Sequence, residues 1–192
     1  MKKKVLVILG HPDADSFCAG LFQAYIDGAK EGGAEVREVS LRDLSFDPVL
    51  WKGYAEVQEL EPDLVRVQRD IAWADHLVWI YPTWWGTMPT LMKGFLDRAL
   101  LPGFGFKFRE NSPLWDKLLS GRTAEILVTM DTPTWFYRWV YRRPGYHQMK
   151  RTILGFCGIR LKRFHAFSPV KGSSREKRDA WLRKAREFGE NA

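Results

Sequence analysis

Two rhythms of apolar and polar positions alternate along the chain. Lys4–Leu9 (KVLVIL) and His76–Tyr81 (HLVWIY) are almost unbroken apolar runs, the pattern of strands covered on both faces. Thr123–Thr129 (TAEILVT) reads the same way, and Ala34–Val39 and Arg160–Phe167 read as two further strands. Between the runs the spacing turns helical: Phe17 to about Gly32, Pro62–Trp73, about Met88–Leu100, His147–Phe156 and Ser174–Phe188. Arg42–Leu50 reads as a loop. Five short strands separated by helices predict an α/β fold with one five-stranded parallel sheet and helices on both faces. Ligands of such sheets lie beyond the carboxyl ends of the strands, where the strand order reverses. The segments that follow the first, third and fourth strands are therefore the places to look for chemistry.

Composition narrows the class. A chain of 192 residues with 45% hydrophobic and 28% charged positions is expected to form one globular domain, residues 1–192. No apolar run reaches the length of a membrane span, and Val5–Leu9 is too short for the core of a signal peptide, so no transmembrane segment or leader is expected. Cys18 and Cys157 make no disulfide framework, which predicts a reducing, cytoplasmic setting. No cluster has metal-ligand spacing. The net charge of +7 is unevenly spread: between Arg138 and Arg186 stand 15 Lys/Arg against Glu176 and Asp179 alone. That region either meets an anion (a phosphate-bearing cofactor, an acidic partner, a membrane surface or nucleic acid) or is a solvated basic face.

After the first strand comes GHPDADSFC, Gly10–Cys18. It lacks the glycine spacing of a dinucleotide-binding turn. It still delivers a hydroxyl at Ser16 and free backbone N–H groups at a helix start, the parts of an anion site, with His11 as a further donor. Ser16 also fits a plain N-cap and His11 a turn residue. Cys18, in the first helical turn, is either an activated thiol or a buried packing one. After the third strand comes YPTWWGTMPT, with Pro82 ending the ladder and Gly86 and Pro89 shaping the loop. Trp84 and Trp85 suit a flat, conjugated ligand with polar edges, and equally suit a core or a subunit contact.

The blocks HPDADSFC (His11–Cys18), LRDLSFDPVL (Leu41–Leu50), Trp73–Phe108 and FCGI (Phe156–Ile159) make the chain resemble the flavodoxin-like NAD(P)H:quinone oxidoreductases. That group includes DT-diaphorase, the modulator-of-drug-activity quinone reductases and the ancillary flavoproteins of potassium-efflux systems. The resemblance implies a flavodoxin-like sheet with a flavin, FMN or FAD, beyond its carboxyl edge. The flavin phosphate would lie on His11, Ser16, Phe17 and Cys18, and the ring along Pro82, Thr83, Trp84, Trp85 and Gly86. Thr129 matches the first position of the family's turn after the fourth strand. The rest, Met130-Asp131-Thr132-Pro133, departs from a glycine-rich turn and leaves Asp131 unexplained. Tyr137 stands eight residues on, where the family's active-site tyrosine is expected; the family's histidine has no match at its own spacing, with Arg143 there and His147 four residues later.

What the resemblance implies for activity is a hydride passed from NAD(P)H to the flavin and on to a quinone or similar planar acceptor at the same face, with ping-pong kinetics. Tyr137 and His147 are its candidate catalytic residues. A homodimer follows from relatives that build the acceptor pocket across a subunit boundary. The aromatic and basic stretch Pro133–Tyr146 is either a lid walling the acceptor pocket, a packing or dimer contact, or a patch that meets anionic lipid. If it is helical, Trp135, Trp139 and Arg142 share one side. The alternative function is a flavin-binding regulatory subunit docked on a membrane transporter such as a potassium-efflux system. A one-electron flavodoxin-like carrier fits poorly with a pI near 9.5, and no nucleic-acid module is present.

Overall fold

A computed structural model describes residues 2–192. Its strands are β1 (Lys4–Leu9), β2 (Glu35–Ser40), β3 (His76–Pro82), β4 (Phe106–Phe108), β5 (Trp115–Lys117), β6 (Thr123–Thr129) and β7 (Arg160–Phe167). Its helices are α1 (Phe17–Glu31), α2 (Pro62–Trp73), α3 (Thr90–Ala99), α4 (Thr134–Trp139), α5 (Pro144–His147), α6 (Gly155–Cys157) and α7 (Arg175–Glu190); a π-helical stretch, Gln148–Leu154, joins α5 to α6. Five strands form one parallel sheet in the order β2-β1-β3-β6-β7. The three central strands are the near-continuous apolar runs, and all seven residues of β3 are buried. The polar edge strands β2 and β7 leave half or more of their positions partly or fully exposed.

Each face of the sheet has its own apolar layer. On one, Leu6, Ile8, Leu77 and Trp79 meet Leu64, Val67 and Ile71 of α2 and Met92, Phe95 and Leu96 of α3. On the other, Val5, Val7, Val78 and Ile80 meet Leu21, Tyr25 and Ile26 of α1, with Ala185, Trp181 and Leu182 of α7 behind them. α1 and α7 approach so closely that a Cβ on Gly28 would run into the carbonyl of Arg186, and one on Gly189 into that of Tyr25. Only glycine allows two helix backbones to touch in this way.

The structure differs from the sequence reading at three places. The 106–117 region forms an antiparallel two-stranded ribbon, β4–β5, which the pattern did not reveal because each strand is three residues long. β3 runs one residue past the expected Tyr81: Pro82 is the last residue of the ladder, paired with Thr129, and the Thr83 N–H donates to the Thr129 carbonyl at 2.7 Å. Proline withholds only its own donor, so the register continues one residue further. The expected helix over His147–Phe156 is largely π-helical.

The long excursion between β2 and α2 is held by one buried cation. Arg98 of α3 is completely buried, and its guanidinium donates to the carbonyls of Asp47 (2.6 Å) and Glu59 (2.8 Å) and to both carboxylate oxygens of Glu61. Trp51 Nε1 donates to the Asp47 carboxylate at 2.6 Å, tightening the same loop. Burial pushes the Glu61 carboxyl upward, but the Asp47 N–H and Arg98 outweigh it and hold it below the ordinary carboxylate range. Arg98→Ala strands two carbonyls and a carboxylate, and is expected to destabilise the chain by about 3 kcal/mol. Urea unfolding of the two proteins measures this, and a change under about 0.5 kcal/mol would show that the loop holds itself.

Candidate functional site

β1 and β3 are neighbours whose connections run to opposite sides of the sheet, so the crevice beyond their carboxyl ends is where the strand order reverses. A cavity of about 330 Å³ lies there, lined by His11, Ser16, Phe17, Cys18, Pro82, Thr83, Trp84, Thr129, Met130, Asp131, Val170 and Lys171. Eight of the ten residues expected to hold a cofactor are in that lining; Trp85 and Gly86 are not.

The β1–α1 turn supplies one end of it. Ser16 caps α1, its Oγ accepting the Ala19 N–H at 3.3 Å while its carbonyl accepts from Ala19 and Gly20. The N–H groups of Phe17 and Cys18 lie ahead of the first helical hydrogen bonds, beside the positive end of a 15-residue helix. His11 Nδ1 accepts the Asp13 N–H at 2.9 Å, which leaves the ring proton on Nε2. Burial holds the His11 pKa below its ordinary value, so the ring is a neutral donor at physiological pH. These groups fit a phosphate. A second cavity of about 660 Å³ flanks the same cap on its other side, with Ser16, Ser40, Arg42 and Asp43 among its walls.

The β3–α3 loop supplies the aromatic wall. Trp84 and Thr87 exchange both backbone hydrogen bonds at 3.0 Å, closing a two-residue turn over Trp85 and Gly86. Both central residues have positive φ, +50° at Trp85 and +81° at Gly86. This is the I′-type geometry, ordinary for glycine and strained for a tryptophan. The turn carries Trp85 wholly into solvent, which is why it misses the cavity, while Trp84 lies edge-on to the His11 ring with centroids 5.6 Å apart.

Cys18 and Thr129 form the floor, Cys18 Sγ lying 3.2 Å from Thr129 Oγ1. Burial pushes the Cys18 thiol up to about 12, with Thr129 offsetting only part of that, and Cys18 is a packing thiol.

The glycine-free turn after β6 is explained by the loop after β7. The Asp131 carboxylate accepts the Lys171 N–H at 2.6 Å, the Met130 carbonyl accepts from Val170, and Ser168 Oγ donates to the Thr132 carbonyl at 2.6 Å. Asp131 thus ties two loops together and brings Val170 and Lys171 to the cavity. Sequence reasoning missed both. Their signal was the polar loop SPVKGSS at the carboxyl end of the fifth strand, beside the fourth.

Tyr137 and His147 do not line this cavity. Tyr137 is buried, its hydroxyl donating to the Gly86 carbonyl at 3.2 Å and accepting the Gly145 N–H at 3.1 Å. Its proton is therefore engaged by the backbone, and burial pushes its pKa up. His147 follows in α5, its ring edge-on to Tyr146 and its buried Nδ1 without a hydrogen-bond partner. Trp135 and Trp139 of α4 face solvent rather than walling a pocket. Among the described residues no group of His, Cys, Asp and Glu could hold a metal ion, and no helix is long and apolar enough to cross a membrane.

The family described as having a flavodoxin-like fold matches residues 3–189. A ribosyldihydronicotinamide dehydrogenase-like protein of Penicillium crustosum is 30% identical over 152 residues, 66% of this chain and 57% of its own. The rat NAD(P)H dehydrogenase [quinone] 1 is 25% identical over 190 residues, 83% of this chain and 66% of that protein. The chain thus spans less than two thirds of the length of either relative. Among solved structures, the NAD(P)H:quinone oxidoreductase of Methanothermobacter marburgensis superposes with a TM-score of 0.80 at 20% identity, over 100% of this chain and 99% of that one.

With Cys18 near 12 and Cys157 pushed by burial to about 11, neither thiol ionises near neutrality. A chromogenic disulfide reagent at about pH 8 is expected to find no fast thiol in the native chain and both after denaturation. Rapid native labelling of Cys18 would contradict this packing role.

Proposed function

The chain belongs to the flavodoxin-like fold family, and on that premise we propose that it is a flavin-dependent NAD(P)H oxidoreductase of the quinone reductase type. The observation that carries the reading is the cavity at the β1/β3 crevice, which joins a helix N-terminus and neutral His11 at one side to the Trp84 wall at another. The names of the curated relatives support the reaction class. When bound, the flavin, FMN or FAD, supplies passage of two electrons from NAD(P)H to a quinone-like planar acceptor, in a ping-pong sequence at one face.

The chain's own residues bind, orient and exclude water. Ser16, Phe17 and Cys18 offer backbone N–H groups to the phosphate, with His11 Nε2–H beside them. Pro82, Thr83 and Trp84 flank the ring, and Thr129 closes the floor. Trp85 and Gly86 act through the shape of the turn that aims Trp84. Tyr137 is a positioning residue in this arrangement, because its hydroxyl holds that turn; His147 is the proposed donor toward the acceptor on the resemblance alone, since it lies outside the cavity lining.

We further propose a homodimer in the cytoplasm. A cavity of about 600 Å³ lined by Leu96, Leu100, Phe106, Phe156 and Ile153 opens among exposed Tyr54 and Phe108, an apolar face suited to a second copy. The relatives' names favour an enzyme over a transporter subunit, and we propose no transporter partner.

The purified protein is expected to be yellow, to release FMN or FAD on denaturation, and to turn over NADH or NADPH continuously when a quinone is supplied. A colourless chain that neither flavin reconstitutes would sink the proposal. Tyr137→Phe is expected to weaken flavin binding about tenfold, roughly 1.4 kcal/mol, by loosening the Trp84–Thr87 turn. Unchanged flavin affinity with slowed quinone reduction would instead return Tyr137 to the role of donor.

A further inference from the structure

The segment after the candidate site carries a surface that the reaction does not use. From Thr132 to Arg175 there is no acidic residue, while ten Lys/Arg fall in the same stretch. At its start, Trp135 and Trp139 stand one helical turn apart, 62% and 69% exposed, with Val140 and Tyr141 each 53% exposed beside them. The Arg138 guanidinium lies over the Trp139 ring at 4.8 Å. Arg142 and Arg143 then take consecutive left-handed conformations, φ +57° and +52°, which only a well-braced chain sustains in non-glycine residues. The brace is visible: the Arg143 N–H donates to the Tyr137 carbonyl at 2.9 Å, and the His147 N–H to the Arg143 carbonyl.

We propose that this aromatic and basic surface docks the protein on an anionic lipid bilayer. Indole and phenol rings with an adjacent aliphatic side chain match the boundary between headgroups and acyl chains, and arginines with no opposing carboxylate match anionic headgroups. An acidic protein would engage the arginines without needing the exposed indoles. A single-stranded nucleic acid could stack on the indoles but has no use for Val140. The docked segment touches the candidate site, since Gly145 N–H and Tyr137 Oη both bond the Gly86 carbonyl. If the reading of the site as a quinone reductase is right, docking would bring the cavity to an acceptor dissolved in the membrane; the docking itself does not depend on that reading.

Co-sedimentation of the full chain with vesicles tests the proposal without any activity readout. Binding is expected to vesicles of phosphatidylcholine mixed with phosphatidylglycerol, to weaken as salt rises, and to be largely absent with phosphatidylcholine alone. Arg138→Gln combined with Arg142→Gln is expected to weaken binding roughly thirtyfold. Trp135→Ser combined with Trp139→Ser is expected to abolish the blue shift of tryptophan fluorescence on vesicles. Thermal unfolding of both variants should match the parent, because all four side chains are exposed. No binding to anionic vesicles, binding by both double variants equal to that of the parent, equal affinity for a single-stranded oligonucleotide, or dissociation of an oligomer in place of lost vesicle binding would each overturn it.

Discussion

The Tyr137 hydroxyl is the point on which the site's geometry depends. It joins three pieces of chain: α4, the Trp84–Thr87 turn through the Gly86 carbonyl, and the start of α5 through the Gly145 N–H, alongside the direct bond from Gly145 N–H to the Gly86 carbonyl. The turn it holds contains a tryptophan in a left-handed conformation, which a free loop would relax. The phenol is buried, so a change that removes its hydroxyl takes away two hydrogen bonds in a region with little access to water. The space at Gly145 is filled to match: a Cβ there would approach the Gly86 carbonyl at 2.9 Å and the Tyr137 hydroxyl at 3.0 Å.

The same logic governs the other rim of the cavity. Parallel strands end in loops that must satisfy their own polar groups, and here the loops after β6 and β7 do so with each other. Asp131 accepts from Lys171, and Met130 and Val170 are joined through the backbone. A glycine-rich turn would leave its N–H groups to a ligand; this one gives the position to a carboxylate that fastens the neighbouring loop. The price is a carboxylate at the cavity wall, with Lys171 of the neighbouring loop in the same lining.

Much of this was legible in the sequence, and for identifiable reasons. The unbroken apolar runs Lys4–Leu9, His76–Tyr81 and Thr123–Thr129 are central strands because burial on both faces demands them. Their order places the β1–α1 and β3–α3 loops at one edge, so His11, Ser16 and Trp84 group together on sequence order alone. What escaped was contact that no period encodes. The β4–β5 ribbon is too short to show alternation. Trp85 looks like a second wall residue until its positive φ turns it outward. Tyr137 sits at the spacing of a catalytic tyrosine, yet whether its hydroxyl is free depends on two backbone groups 51 and 8 residues away.

The central claim is that a flavin occupies the crevice between β1 and β3. Hydrogen–deuterium exchange of the chain with and without saturating flavin locates the ligand directly. The account predicts slowed exchange in peptides covering residues 11–18, 82–87, 129–132 and 170–171, with little change along α2. Protection confined to the cavity around Phe106 and Phe156, or none in these four segments, would contradict it.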